Sequence, residues 1–169
     1  MTTLLELAAA RYSVRDYKPD PVQAELMAKV LEAGRLAPTA CNKQPQRIKV
    51  ISDFVGLQTV DRCTPCRFGA PAVILVCYDK TACWSRGFDG ASSGEIDASI
   101  AASHMMLAAH DLGLGTCWVM HFDPDKLSML LELPKTIVPV AMLPVGYPAV
   151  ESAPAAGHSS RLPIESILL

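Results

Sequence analysis

The feature that most restricts this chain is an unbroken apolar run, Val73-Ile74-Leu75-Val76-Cys77, within the segment from Pro71 to Tyr78. Successive side chains of a strand point to opposite faces, so a continuous apolar run is apolar on both. The run therefore predicts a central strand buried on both sides, with a layer of helices over each face. A chain of 169 residues is long enough for one such core and short for two, so 1–169 is read as a single domain.

Helices and strands are interspersed along the rest. Met1 to Ala10 reads as a short helix carrying Leu4, Leu5 and Leu7. Asp20-Pro21-Val22-Gln23 offers an N-cap, a proline at the first helical position and a Gln at N3. Val22, Leu26, Val30 and Ala33 then recur at helical spacing, and Gly34 serves as a stop. Arg35 to Pro45 is an ordered loop, and Ile48, Val50 and Ile51 favour a strand over Arg47 to Ser52. Ser92 with Glu95 forms a capping box for a long helix to about Leu112, with Ile96, Ile100, Leu107 and Ala108 as one stripe and small alanines as another. Gly113 to Val119 gives a short strand, Asp123-Pro124 starts a helix, and Ile137 to Val145 is a further buried strand. Pro148 to Pro163 is a tail of low periodicity that something else must anchor.

Charge narrows the partners. With 15 Lys+Arg against 17 Asp+Glu, net −2, there is no positive excess for nucleic acid or an anionic membrane, and a small molecule is the expected ligand. The uncharged stretch Thr136 to Val150 is broken by Pro139, Pro144, Gly146 and Pro148 and falls short of the ~20 apolar residues a membrane span needs. The N-terminus carries Glu6 and no basic start, so a cytoplasmic protein is expected. The six cysteines, several inside apolar runs, are expected as free thiols. Cys63 and Cys66 form a single pair without the further ligands of a zinc site, and no metal is expected. His104 and His110 lack a Ser or Cys partner for a triad and are read as structural. An apolar share of 50% against 19% charged points to apolar surface in a subunit interface.

Four ordered motifs remain. Arg11-Tyr12-Ser13-Val14-Arg15 concentrates two guanidiniums and a hydroxyl, chemistry suited to an oxyanion such as phosphate. Ala37-Pro38-Thr39-Ala40-Cys41-Asn42-Lys43-Gln44-Pro45-Gln46 follows. His110-Asp111-Leu112-Gly113-Leu114-Gly115-Thr116-Cys117-Trp118 leads to Phe122-Asp123-Pro124. Leu143-Pro144-Val145-Gly146-Tyr147-Pro148 precedes Arg161-Leu162-Pro163-Ile164-Glu165. In order and spacing these resemble the nitroreductase family of FMN-dependent NAD(P)H oxidoreductases, in a compact subgroup that also shows Trp84 and Arg86-Gly87-Phe88-Asp89-Gly90.

The resemblance implies an α+β fold: a three-layer α-β-α sandwich with a mixed, mostly antiparallel central sheet, helices on both faces and a C-terminal tail exchanged across a homodimer. It implies one FMN at each of two subunit interfaces. Arg11, Ser13 and Arg15 would hold the phosphate and ribityl chain, joined by Tyr12, which stands where the family commonly has Arg, and by Arg161 from the tail. Pro38, Thr39, Ala40 and Asn42 would approach the flavin from the partner subunit, with Asn42 and Gln44 offering amide hydrogen bonds, and Gly146 would lie near the flavin at a strand end. Gly113 and Gly115 are explained by a helix C-cap and a tight strand start, and no flavin contact is assigned to them.

The sequence departs from the family at two further places. Gln46 replaces a Trp, and Met120-His121 stands where Gly-Gly, Glu-Gly or Gly-Ala is common. A backbone N–H from Val119, Met120 or His121 would meet flavin N5, and the His121 side chain would narrow the pocket. By the same resemblance NADH or NADPH delivers hydride and departs before an electron-poor acceptor, a nitroaromatic or quinone, takes two electrons in ping-pong fashion. The alternative is an FMN-binding storage or regulatory protein with little reductase activity.

Overall fold

The central strand expected from the apolar run is β2 (Ala72–Asp79). It pairs antiparallel with β1 (Gln46–Ile51) on one side and with β4 (Ile137–Gly146) on the other. The two-residue β3 (Gly115–Thr116) completes the sheet, in the order β1-β2-β4-β3. A parallel bridge between Ser13 and Thr116 adds the N-terminal segment to this edge and makes the sheet mixed. The computed structural model describes residues 3–169; Met1 and Thr2, where the first helix is expected to begin, lie outside the described residues.

Alternation along β2 divides the core. Ala72, Ile74 and Val76 join Leu143 and Val145 of β4 under α2 (Ala24–Arg35) and α4 (Gly94–Asp111). Val73, Leu75, Cys77 and Met142 face the other way, against Val60 of α3 (Phe54–Asp61) and Leu127 of α5 (Pro124–Leu130). Complete burial of a Val, Leu or Ile side chain stabilises the fold by roughly 1.5–3 kcal/mol, so a strand that loads both layers anchors both. Helices lie on both faces of the sheet, the expected three layers. No helix among the described residues is long and apolar enough to cross a membrane, no metal-ligand cluster is present among them, and all six cysteines are free.

Local readings diverge in five places. The first helix, α1 (Leu4–Ala10), is capped by Thr3 and Glu6, but α2 starts only at Ala24, with Gln23 at its cap and no side-chain bond there. The backbone before it is committed elsewhere: the Lys18 N–H donates to the Tyr147 carbonyl, and the chain stays out of a helix through Gln23. Gly34 does not stop α2. It is buried inside the helix, and a Cβ there would lie 2.8 Å from Met105 Cγ, so glycine permits the approach of α2 to α4.

The capping box at Ser92 and Glu95 does not form. Ser93 occupies the cap position and donates its hydroxyl to Asp97, while Ser92 Oγ accepts the Gly94 N–H. The alanine side of α4, with Met105, faces the sheet, whereas Ile96 is 62% exposed. The strand expected over Gly113 to Val119 shrinks to β3 plus a bridge from Val119 to Met142.

Candidate functional site

The Arg11–Arg15 segment is extended and runs beside β3, where the Val14 N–H donates to the Thr116 carbonyl at 2.9 Å. Extended backbone alternates its side chains, so burial of Val14 turns Arg11, Ser13 and Arg15 to the opposite side. This alternation is why the motif reads R-x-S-x-R. Tyr17 pins the segment by donating its hydroxyl to the carbonyls of Val14 (2.9 Å) and Pro144 (3.1 Å), and burial pushes that phenol far above its ordinary range.

The arginines share one locus. Burial raises the Cys117 thiol, opposed by the nearby Arg15 charge, the Ser13 hydroxyl and the Arg11 charge. His110, at the last turn of α4, is held below its ordinary value by burial first and by Arg11 second. The ion pairs among the described residues engage Arg35, Arg47, Arg67 and Arg86, and none engages Arg11, Arg15 or Arg161. Neighbouring guanidiniums outside any ion pair, flanked by a hydroxyl, fit a dianionic phosphate in charge and in hydrogen-bond direction.

The tail is stitched to this segment. Lys18 N–H donates to the Tyr147 carbonyl, Ala149 N–H to Asp16, and the Tyr12 hydroxyl to Ser152 at 3.2 Å. His158 then bonds the Ala9 carbonyl through Nε2 at 3.0 Å and packs edge-on against Tyr12. The chain thus returns to within two residues of Arg11. Arg161 follows three residues later, donating to the carbonyls of His158 and Ser160. Tyr12 faces this tail. Gly146 is buried, and a Cβ there would meet Pro71 Cδ at 2.6 Å and Tyr17 Cδ1 at 3.1 Å, a packing reason for glycine at that strand end.

The Pro38–Gln44 loop lies at the other end of the molecule. Ala40 N–H donates to Asp97 in the first turn of α4, whereas Arg11 neighbours His110 in the last. At a rise of 1.5 Å per residue these two helix positions are about 20 Å apart. One chain therefore does not gather all the sequence-named residues into one place. Within the loop Thr39 Oγ1 accepts the Gln44 N–H, and Cys41, Asn42 and Gln44 are left-handed with φ of 49°, 52° and 50°. Pro38, Asn42 and Gln44 are exposed. Beside them Gln46 Oε1, where the family commonly has Trp, is buried without a hydrogen-bond partner among the described residues.

A third group surrounds Met120 and His121, both exposed. The Val119 N–H is consumed by the Met142 carbonyl, whereas those of Met120 and His121 donate to no acceptor among the described residues. The turn is clamped from below: the buried Thr64 hydroxyl donates to the His121 carbonyl and accepts the Cys66 N–H, and the Asp123 N–H donates to the Cys63 carbonyl. Thr64 and Asp97 escaped the sequence reading. The signal for Asp97 was a lone acid among apolar residues of a helix; Thr64, between two cysteines, gave none.

The family model described as Nitroreductase family matches residues 8–62 and 60–147. The chain is 31% identical to the FMN reductase [NAD(P)H] of Bacillus subtilis over 192 residues, 99% of this chain and 73% of that protein. The crystal structure of a nitroreductase family protein from Clostridium difficile 630 superposes with a TM-score of 0.92 at 39% identity, covering 99% of this chain and 97% of the other. An FMN-dependent nitroreductase from Clostridium difficile R20291 superposes with a TM-score of 0.76 at 28% identity, covering 90% and 91%.

Proposed function

The chain belongs to the nitroreductase family, and on that premise we propose that it is a homodimeric oxidoreductase passing reducing equivalents from NAD(P)H to a nitroaromatic or quinone-class acceptor with ping-pong kinetics. It is an FMN-dependent NAD(P)H oxidoreductase. Residues 1–169 form its one FMN-binding domain. When bound, FMN supplies the two-electron chemistry that no amino-acid side chain offers.

The residues take the following parts. Arg11, Ser13 and Arg15 bind the phosphate, Tyr12 holds the tail against them, and Arg161 closes the phosphate site. Pro38, Thr39, Ala40, Asn42 and Gln44 reach the cofactor of the partner subunit, and Gly146 borders it through its backbone. The unused N–H groups of Met120 and His121 are the donors offered to flavin N5, with the His121 side chain narrowing the pocket. Donors positioned in advance stabilise negative charge on the reduced ring without reorganising.

The observation that carries this reading is the arginine pair beside β3, which joins no ion pair among the described residues, with the second contact loop about 20 Å away along α4. A two-fold partner brings a second loop to the first arginine site and completes it. Exposed Ile96, Leu162, Ile164, Ile167 and Leu168 supply apolar surface for such an interface. The test is the visible spectrum and mass in solution of the purified protein, followed by stopped-flow mixing with NADH or NADPH. A yellow dimer bleached by either nucleotide and reoxidised by a quinone is expected. Protein that stays colourless after incubation with FMN, or binds it as a monomer, overturns the reading, and a yellow dimer inert to both nucleotides leaves only the storage role.

A further inference from the structure

Asp97 is 2% exposed and sits among the alanines of α4. None of the ion pairs among the described residues involves it. A carboxylate buried without a cation is costly unless its oxygens are hydrogen-bonded. Both are: Oδ2 accepts the Ser93 hydroxyl at 2.7 Å, and Oδ1 accepts the Ala40 N–H at 2.9 Å. The first bond is local to the helix start, where the positive end of the helix dipole favours an anion. The second reaches across 57 positions of sequence to the loop.

That loop needs holding. Cys41, Asn42 and Gln44 are all left-handed, a conformation that bulkier side chains resist and that persists only where the surroundings over-determine it. Its far end is fixed by Arg47 Nη1 on the Gln44 carbonyl at 3.0 Å and by the Asp79 N–H on the Pro45 carbonyl at 2.8 Å. Its near end rests on Asp97. The start of α4 is itself closely packed on the sheet: a Cβ on Gly94 would lie 2.3 Å from Tyr78 Cδ2.

We infer that Asp97 is a positioning residue of the flavin site: through the Ala40 N–H it locks the Ala40–Gln44 turn in the shape that presents Asn42 and Gln44 to the cofactor. The inference rests on the reading that this loop contacts FMN. Asp97 acts through backbone and touches no cofactor atom. Asparagine retains an acceptor for the Ala40 N–H and a donor for Ser93, so Asp97→Asn preserves the lock, whereas Asp97→Ala removes it.

The test combines FMN titration, the bound-flavin spectrum and hydrogen exchange of the loop amides. Asp97→Ala is expected to weaken FMN binding by about tenfold or more, the worth of one charged hydrogen bond, and to shift the spectrum, while Asp97→Asn stays near the unaltered protein. Where Asp97→Ala does not fold, the unaltered protein decides: its Ala40 amide is expected to exchange at least about a hundredfold slower than an open loop amide. An unprotected Ala40 amide, unchanged FMN affinity and spectrum in Asp97→Ala, or failure of Asp97→Asn to rescue each overturns the inference. Unaltered protein that binds no FMN sinks the functional reading instead.

Discussion

Gly115 faces Val14 with no room between them: a Cβ on Gly115 would lie 2.6 Å from Val14 Cγ2 and 2.8 Å from its Cβ. Val14 is branched, buried and bonded through its N–H to Thr116, so it cannot yield. The spacing between β3 and the arginine segment is thereby set by an absent methyl group.

Gly115→Ala is expected to push that segment off β3, costing roughly 1–3 kcal/mol of stability, as overpacking does, and weakening FMN binding. Gly87→Ala is the control, since nothing lies within 4 Å of its Cβ position. Urea denaturation of both variants measures the difference, and equal midpoints would show that Val14 has room to move.

Arg11→Ala and Arg15→Ala are each expected to weaken FMN binding by about ten- to a hundredfold, from charge-assisted hydrogen bonds of about 1.5–3 kcal/mol. Riboflavin carries no phosphate, so its affinity should not change. A parallel loss for both ligands would mean that the arginines support the fold and not the phosphate.

Thr64→Val keeps the shape of the side chain and removes its hydroxyl, leaving the His121 carbonyl and the Cys66 N–H unpaired. A loss of about 1–3 kcal/mol in stability is expected from the buried unsatisfied group. The turn bearing the Met120 and His121 N–H groups should loosen as well, slowing flavin reduction by NAD(P)H in single-turnover mixing. His121→Gly tests the side chain by itself: unchanged activity and substrate range would leave the pocket role to the backbone.

His110 links stability to pH. Its folded value lies below the ordinary 6.5, from burial first and from Arg11 second, with Asp111 opposing. Because the unfolded chain takes up the proton more readily, this contribution is complete above about pH 6.5 and is lost as pH falls through the lower, folded value. The urea midpoint of the native protein should therefore drop on acidification through that window, and His110→Asn should flatten the drop. An NMR titration placing His110 at or above 6.5 would remove the cause.

Much of the architecture was legible because it rests on local chemistry. The apolar run of β2 announced both helical layers, Asp123 caps the Lys126 N–H with Pro124 at the first position of α5, and Gly113 ends α4 in the left-handed region. The failures have one cause. Ser92 and Glu95 look like a cap, but Ser93 is drawn inward to Asp97. Gly34 looks like a stop, but Met105 needs its space. Local patterns report what a residue offers its neighbours in sequence, not which distant group has already claimed it. Nor did local pattern separate Arg11 from Asn42: only the resemblance assigned the Asn42 loop to the partner subunit, and one chain indeed holds the two at opposite ends of α4.

The stitching of residues 147–158 onto residues 9–18 also orders events during synthesis. The arginine segment is translated early, yet its backbone partners, β3 and the returning tail, lie far downstream, as the Ser13–Thr116 bridge and the bond from Lys18 to Tyr147 show. Such distant pairings form late, after local helices and hairpins. The corner holding Arg11 and Arg15 therefore cannot take its final backbone pairing until those downstream residues have left the ribosome.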